Sequence, residues 1–551
     1  MIVRILKNNK WLLIIFVVFI LTRFLGLDQI YHQDEYRWAM QADPQTNEVS
    51  PHPPLTKYFL KVTGLLFGFD NLRIGILFFS ILNLWLIYLI LFRLTGKKKI
   101  ALIGSGLFTV NVYGLIANLQ IDIDGAVLPF FILLSYCGYL IITEDIKSKK
   151  GIVVFCLAIV GGFLTKLSFL LFVGALIADQ LLRVYYIKEE INLKSIIKKL
   201  WPWIVGFLAI AVVFYYFYAT RLKVIIDYAE HFKSLNFASR AYFDLVFKIF
   251  KSFVWLSPLL ALSVLYGFFK RDIFNKYRIW FIYLFLNFIF YLVLFDFSTL
   301  TVERYFMFLI IPSVLVSAQV IYDFLERKSI SINKKVYIVI GIIFVLLSFV
   351  ILSLPHDILP LNPKTAYVDK VKSFDYGFLI PFTGGSGPSG FYFSAWFILL
   401  SWLVAPISIV GIALAKNKKI FLAIFLIFGL GYNILFDSEY LFGTLYGSVD
   451  KVAKKTIEYV NSNDAINGVI TYYDIGSYYL RLSGKYDSRF YTAPKRDYTP
   501  KITDYRGQYM IVDFPAIDKE GRYWPLIIRC PLLKKFQNKK IESYVFDCSK
   551  I

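Results

Sequence analysis

Residues 72–99 read "LRIGILFFSILNLWLIYLILFRLTGKKK", and this stretch decides the fold class. The segment Leu72–Leu94 is mostly apolar and, as an α-helix, is long enough to cross the roughly 30 Å hydrocarbon core of a bilayer. Lys97, Lys98 and Lys99 follow it directly. Because Lys and Arg accumulate in cytoplasmic loops, the stretch is predicted to be a membrane span that ends in the cytoplasm. The segment before it, 28–71, is then expected to lie outside.

The same pattern recurs along the whole chain. Of its 551 residues, 58% are hydrophobic, whereas soluble domains are usually about 45–50% apolar. Apolar runs alternate with short basic gaps, which predicts a polytopic α-helical membrane protein with about thirteen transmembrane helices. The net charge of +22 is concentrated in those gaps. It therefore indicates cytoplasmic loops facing anionic lipid rather than a nucleic-acid partner.

The two ends of the chain are predicted to lie on opposite sides of the membrane. The basic start and the apolar run near Trp11–Leu27 indicate a retained first span with a cytoplasmic N-terminus. An odd number of spans then places the C-terminus outside. We expect a transmembrane domain over 1–436, with outer-loop helices in 28–71, and an outer domain over 437–551.

The predicted outer domain has the composition of a small α/β or α+β fold. Its segments "NGVITYYDIGSYYL" and "GQYMIVDF" are rich in β-branched and aromatic residues between turn formers, which favours strands. Cys530 and Cys548 lie in this tail. They are disulfide candidates if the tail faces an oxidising compartment, and free thiols otherwise.

An acidic pair follows the first span in "IYHQDEYRWAM", residues 30–40. Charges near membrane depth are costly, so Asp34 and Glu35 suggest a functional site. They could supply a general base or bind a metal. A solvated pair just beyond a helix end is the structural alternative.

A second acidic pair, Asp122 and Asp124, lies in "LQIDIDGAVLPF" between two predicted spans. Alternating residues point to the same side of an extended segment, so both carboxylates are expected to face one way. Carboxylate oxygens suit a divalent cation. A basic group or an acceptor hydroxyl would serve as partner equally well.

Basic and other polar residues are predicted on the same outer face. They are His52, Lys57, Lys166, Glu303, Arg304 and Tyr305. Pro53 and Pro54 precede Lys57 and predict a surface or re-entrant helix. Lys166 could reach the interface or bind a phosphate, and the planar fork of Arg304 suits two phosphate oxygens.

Together these residues suggest sugar transfer from a polyprenyl phosphate. Acids could deprotonate an acceptor hydroxyl, cations could hold the phosphate, and apolar helices could hold the lipid. An inverting transferase needs one base and charge stabilisation of the leaving phosphate, without a covalent nucleophile. A transporter or flippase of lipid-linked saccharides is the alternative; it would show broken helices with polar groups near the midplane.

The chain resembles the GT-C membrane glycosyltransferases, most closely the protein O-mannosyltransferase and lipid A aminoarabinose transferase group. The resemblance is carried by "HQDEYRWA", "PHPPLTKY" and "LQIDIDGAVLPFF". "GGFLTKLSFL" and "ERYFMFLIIPSVL" add weaker support, and the matched part spans roughly residues 1–320. It implies a GT-C fold in a multi-pass protein of the inner (plasma) membrane. Its donor would be a polyprenyl-phosphate sugar and its acceptor a lipid, protein or glycan.

The resemblance also implies roles for single residues. Asp34 would be the general base, and Glu35 would support it. The implied phosphate-binding cations are Lys57, Lys166 and Arg304. The residues implied near the sugar, the acceptor or a metal are His52, Asp122, Asp124, Glu303 and Tyr305. A divalent cation near Glu35, Asp122 and Asp124 is the one cofactor considered. The aminoarabinose enzymes tend to have Lys where this chain has His52, which weakens the case for lipid A as acceptor.

Overall fold

The computed structural model describes most of the chain. The described residues are 9–46, 52–145, 147–186, 212, 215, 242–294, 303–326, 334–359, 365–383, 388–471, 475–489, 509–513 and 524–549. The predicted span near 201–219 lies largely outside them, as do the side chains of Asp34 and Glu303.

Helices dominate the described chain up to residue 442. The first group is α1 (Lys10–Phe24), α2 (Gln33–Ala42), α3 (Pro54–Phe67), α4 (Arg73–Thr95), α5 (Lys98–Val110), α6 (Val112–Leu119), α7 (Leu128–Glu144), α8 (Lys149–Thr165) and α9 (Phe169–Tyr186). The second group is α10 (Tyr242–Leu256), α11 (Pro258–Phe269), α12 (Arg271–Lys276), α13 (Arg278–Leu294), α14 (Ile310–Leu325), α15 (Lys334–Leu352), α16 (Thr365–Lys372), α17 (Ala395–Leu414) and α18 (Lys418–Phe442).

Six of the described helical segments are long and apolar enough to cross a membrane, and up to eight if each of two bent pairs counts as one span. The predicted polytopic helical class is confirmed. The predicted number of thirteen spans stays a prediction. Of these six, α15 packs least against the rest of the protein. Only 17% of its most apolar 18-residue stretch is buried, which suits a helix at the periphery that faces lipid.

Two pairs of apolar helices meet at sharp bends, and polar side chains lie at these bends. α5 and α6 meet at 68°, and the segment 249–256 of α10 meets α11 at 107°. At the first bend, the Asn111 amide donates to the Leu256 carbonyl (2.9 Å) and to Oδ1 of Asn433 (3.2 Å). Buried Arg23 donates to the Thr109 carbonyl (2.6 Å). Backbone groups at membrane depth need such partners, because lipid offers none.

The first outer segment folds into α2 and α3. The helix predicted after Pro53 is present, with Pro54 as its first residue. Apolar side chains on α3 are exposed, among them Tyr58, Leu65 and Leu66. This face suits a helix that lies at the membrane interface.

Strands occur in two places. β1 (Leu379–Thr383) and β2 (Pro388–Ser394) form an antiparallel pair. The C-terminal part has a five-stranded mixed sheet in the order β4-β3-β5-β7-β6. Its elements are α19 (Val449–Ser462), β3 (Val469–Thr471), α20 (Ser477–Leu482), β4 (Tyr486–Arg489), β5 (Tyr509–Asp513), α21 (Trp524–Ile527), β6 (Leu532–Asn538) and β7 (Ile541–Asp547).

The C-terminal elements pack on the first outer segment. α19 shares an apolar core with the sheet, including Val452, Val460 and Val545. The Gly476 N–H donates to the Tyr31 carbonyl (3.0 Å), and Tyr31 lies just before α2. Of the segments predicted as strands, "VIT" is β3 and "YMIVD" is β5, whereas "SYYL" begins a helix. The domain boundary near 437 stays a prediction, since α18 continues to Phe442.

Candidate active site

The first acidic motif begins helix α2. The Glu35 carboxylate accepts a hydrogen bond from the His32 backbone N–H (3.3 Å), which caps the helix start. Asp34 is the second residue of the helix, and its side chain lies outside the described residues. Its position in the first turn of α2 places it next to Glu35 on a fixed backbone.

Glu35 joins three separate segments. Arg73, at the start of α4, holds its carboxylate through Nε (3.1 Å) and Nη2 (2.7 and 2.8 Å). The Ile121 backbone N–H donates to it as well (3.0 Å). Burial alone would raise the pKa of Glu35, but Arg73, His32 and the Ile121 N–H outweigh burial and lower it. The Ile121 contact thereby connects the first acidic motif to the residue that immediately precedes Asp122.

The second acidic motif forms two ion pairs. Asp122 accepts from Arg304 Nη1 (3.0 Å), and Asp124 accepts from Lys166 Nζ (2.6 and 2.7 Å). All four side chains are at least four-fifths buried. Gly125 lets the segment pack closely, since a Cβ there would collide with the Ala117 carbonyl. Burial would raise the pKa of Asp122, but Arg304 and Lys166 outweigh it and hold that pKa below its usual value.

Tyr305 connects the two ion pairs. Its ring lies 5.0 Å from the Arg304 guanidinium and 5.7 Å from Lys166 Nζ. Its hydroxyl accepts from Arg304 Nη2 (3.4 Å). Both cations are thus within 6 Å of one aromatic ring, a distance at which cation–π attraction acts.

His52 brings the loop before α3 to the same place. Its ring stacks on Trp38 of α2 at 5.4 Å between centroids. Burial, with the nearby Lys166 and Arg304, lowers the pKa of His52 to about 3, against the opposing effect of Asp122. His52 is therefore neutral at physiological pH. Its ring links the helix that bears Asp34 to the two ion pairs.

A cavity of about 410 Å³, a volume that includes its open part, adjoins Asp124 and Tyr305. Its other walls are mainly apolar and aromatic, formed by Leu128, Pro129, Ile132, Ser168, Tyr283, Asn287, Tyr291, Met307, Phe308 and Ile311. We call it the tyrosine cavity.

Comparison with known proteins agrees with this architecture. Residues 51–217 match the family model of dolichyl-phosphate-mannose-protein mannosyltransferases. The structure is similar to that of ArnT from Cupriavidus metallidurans in the apo state, with a TM-score of 0.55 and 14% sequence identity over 98% of this chain and 99% of that chain. The chain has the GT-C fold.

A second ArnT structure, bound to undecaprenyl phosphate, matches with the same TM-score of 0.55 and 14% identity, over 97% of this chain and 98% of that one. No curated protein sequence is significantly similar to the chain. The resemblance to GT-C membrane glycosyltransferases that the sequence motifs carry is thus confirmed by the family model and by the fold.

The divalent cation site near Glu35, Asp122 and Asp124 stays a prediction. Among the described residues, no group of three His, Cys, Asp or Glu side chains is placed to hold a metal ion. Each proposed acidic ligand faces a cation instead: Glu35 faces Arg73, Asp122 faces Arg304, and Asp124 faces Lys166. These three acids are each paired with a cationic side chain of the protein.

The remaining predicted residues lie around the site. Lys57 is half-buried in the first turns of α3. Glu303 begins the 3₁₀ turn that carries Arg304, but its side chain is not among the described ones. Arg73, the partner of Glu35, was not among the predicted site residues. Its charge beside an apolar span was an available signal, because charges near membrane depth are costly and often functional.

Proposed function

We propose that the chain is an inverting glycosyltransferase that moves a sugar from a polyprenyl phosphate to an acceptor hydroxyl. One observation carries the proposal. Lys166 Nζ and the Arg304 guanidinium lie 5.7 and 5.0 Å from the ring of Tyr305, which lines the tyrosine cavity. A donor phosphate there would compete with the carboxylates of Asp124 and Asp122 for these two cations. The mainly apolar walls of that cavity suit the hydrocarbon of a prenyl carrier. A lipid-linked donor for this chain is consistent with the undecaprenyl phosphate bound in the ArnT structure, which has the same fold.

The reaction needs charge stabilisation at the leaving group. The acceptor oxygen attacks the anomeric carbon on the face opposite the phosphate, and the bond from that carbon to the phosphate oxygen breaks with its electron pair. The phosphodiester, with one negative charge, becomes a monoester with nearly two. Lys166 and Arg304 would stabilise this added charge in a water-poor site.

The acceptor proton needs a base. We assign this role to Asp34, in the first turn of α2. Glu35 is unsuited to it, because five hydrogen bonds from Arg73, His32 and Ile121 occupy its carboxylate, and these groups lower its pKa. Glu35 acts instead as a positioning residue for the helix start.

The site is proposed to face the outside of an inner (plasma) membrane, with the N-terminus in the cytoplasm. The lysines at positions 97–99 directly follow α4 and favour a cytoplasmic end for that span. Cys530 and Cys548 form a disulfide at the edge of the C-terminal sheet. Disulfides persist in oxidising compartments, which supports an outer C-terminal domain.

Transfer can be tested with the full chain in nanodiscs. Polyprenyl-phosphate sugars and a membrane extract are supplied, and glycosylated products are detected by mass spectrometry. We expect Asp34→Asn to lower the transfer rate about 10²–10⁴-fold, the usual contribution of a general base. Asp43→Asn is the matched control, since Asp43 is the C-terminal cap of the same helix, and it should retain transfer.

Two outcomes would contradict the proposal. Full transfer by Asp34→Asn would remove the assigned base. Movement of the intact donor across the bilayer without a new glycosidic bond would favour a flippase. Lys166→Met provides a second check and should raise the KM for the donor. Lys166→Arg keeps the positive charge and should raise this KM less.

A further inference from the structure

A second cavity lies behind the first acidic motif. It has a volume of about 430 Å³, including its open part, and lies between the first outer segment, α6 and the C-terminal elements. Its lining residues are Gln29, Ile30, His32, Glu35, Arg73, Ile116, Gln120, Tyr440, Val449, Asp450 and Ile475. We call it the junction cavity.

Gln120 is the unusual member of this lining. It is 2% exposed, and neither its side-chain oxygen nor its nitrogen has a hydrogen-bond partner within the described part of the chain. A buried amide without partners costs free energy, so native proteins rarely keep one. A ligand with both donors and acceptors would satisfy this side chain.

The charged groups of the junction cavity are already paired. Arg73 is held by Glu35, and Asp450 accepts from the Ile30 N–H (2.6 Å) and pairs with Lys454 (3.1 Å). The cavity therefore offers an anionic ligand no spare cation among these groups. Neutral polar groups and apolar side chains, with one tyrosine, make up most of the other walls. This mixture suits a ligand with hydroxyl groups and apolar C–H faces.

The two cavities lie at opposite ends of one short segment. Gln120 lines the junction cavity, and Asp124 lines the tyrosine cavity. Glu35 also lines the junction cavity, next to Asp34 in sequence. A ligand in the junction cavity would thus lie beside the first turn of α2, across the segment from the cations assigned to the donor phosphate.

We propose that the junction cavity binds a sugar unit of a glycan acceptor, with Gln120 as a hydroxyl-binding residue. The proposal rests on the function proposed above and names its acceptor class. The sugar would present two hydroxyls to the Gln120 amide.

Binding can be measured without any donor. The full chain in nanodiscs is mixed with methyl glycosides of mannose, glucose, galactose and N-acetylglucosamine, and binding is followed by saturation-transfer NMR. Gln120→Met keeps the size of the side chain and removes both hydrogen-bonding groups. Because it removes an unsatisfied buried amide, it should fold at least as stably as the natural chain. Gln319→Met makes the same change in α14 and serves as the control.

We expect at least one glycoside to bind the natural chain and the Gln319→Met variant. Affinity should fall about tenfold or more in Gln120→Met, the loss that corresponds to one or two hydrogen bonds. Equal binding by Gln120→Met, or no glycoside binding by the natural chain, would overturn the proposal and leave a buried water as the partner of Gln120. Since no transfer is measured, failure here is distinct from failure of the proposed activity.

Discussion

Replacing Glu35 by glutamine removes the charge that faces Arg73 and keeps the size of the side chain. Arg73 is 2% exposed, so its guanidinium would remain buried without a counter-charge. Removing one partner of a buried ion pair costs about 3–5 kcal/mol of stability. Glutamine can still accept from the Ile121 N–H, so that bond need not be lost.

A graded series separates the ion pair from the backbone contact. Glu35→Ala removes both and should cost about 1–3 kcal/mol more than Glu35→Gln, the penalty for leaving the buried Ile121 N–H unsatisfied. Removing both charges in Glu35→Gln/Arg73→Met should cost less than the sum of the two single changes, because no buried charge is left alone. The order of midpoints in thermal unfolding of the detergent-solubilised protein measures this series.

Two results would refute this reasoning. If Glu35→Gln melted at the temperature of the natural chain, the ion pair would contribute nothing to stability. If the double variant lost the full sum of the single losses, Glu35 and Arg73 would act independently, contrary to the direct contacts at 2.7–3.1 Å.

Three further predictions concern other contacts. Arg23→Met should lower the melting temperature, because each buried carbonyl it leaves unsatisfied, such as that of Thr109, costs about 1–3 kcal/mol; an unchanged midpoint would contradict this. Cys530→Ser should make the C-terminal domain susceptible to limited proteolysis before the helices, since losing a native disulfide costs about 2–5 kcal/mol. A reductant, which breaks the bond between Cys530 and Cys548, should make the natural chain equally susceptible. Asp122→Asn should lower the stability of the folded protein most above about pH 4. The difference in melting temperature between this variant and the natural chain should shrink as the pH falls further, because the lowered pKa of Asp122 stabilises the folded state only while its carboxylate is charged. Thermal scans at several pH values would show a constant difference if that pKa were ordinary.

Much of the helical architecture follows from local sequence. The predicted span Leu72–Leu94 is α4, Arg73–Thr95, because apolar length and flanking lysines set it directly. α15 (Lys334–Leu352) is set in the same way, by an apolar run that follows Lys334 and Lys335.

The bend between α5 and α6 could not be predicted, because its contacts join residues far apart in sequence. Asn111 bonds to Asn433, which is 322 positions away in the chain, and neither residue carries a local signal for a 68° bend. The second bend has a local signal, since Pro258 begins α11 directly after Ser257. In the candidate site, the sequence supplied the charged residues but not their pairing. It placed Asp122 and Asp124 together, whereas the structure assigns each its own cation, Arg304 and Lys166.

The contact between Glu35 and residue 121 has a consequence for how this site can vary. The donor at position 121 is a peptide N–H, which every residue except proline supplies. Other buried apolar side chains could therefore replace Ile121 while the bond to the carboxylate persists. Homologous chains could then vary among apolar side chains at this position and still keep the contact between the two acidic motifs, whereas proline would remove it.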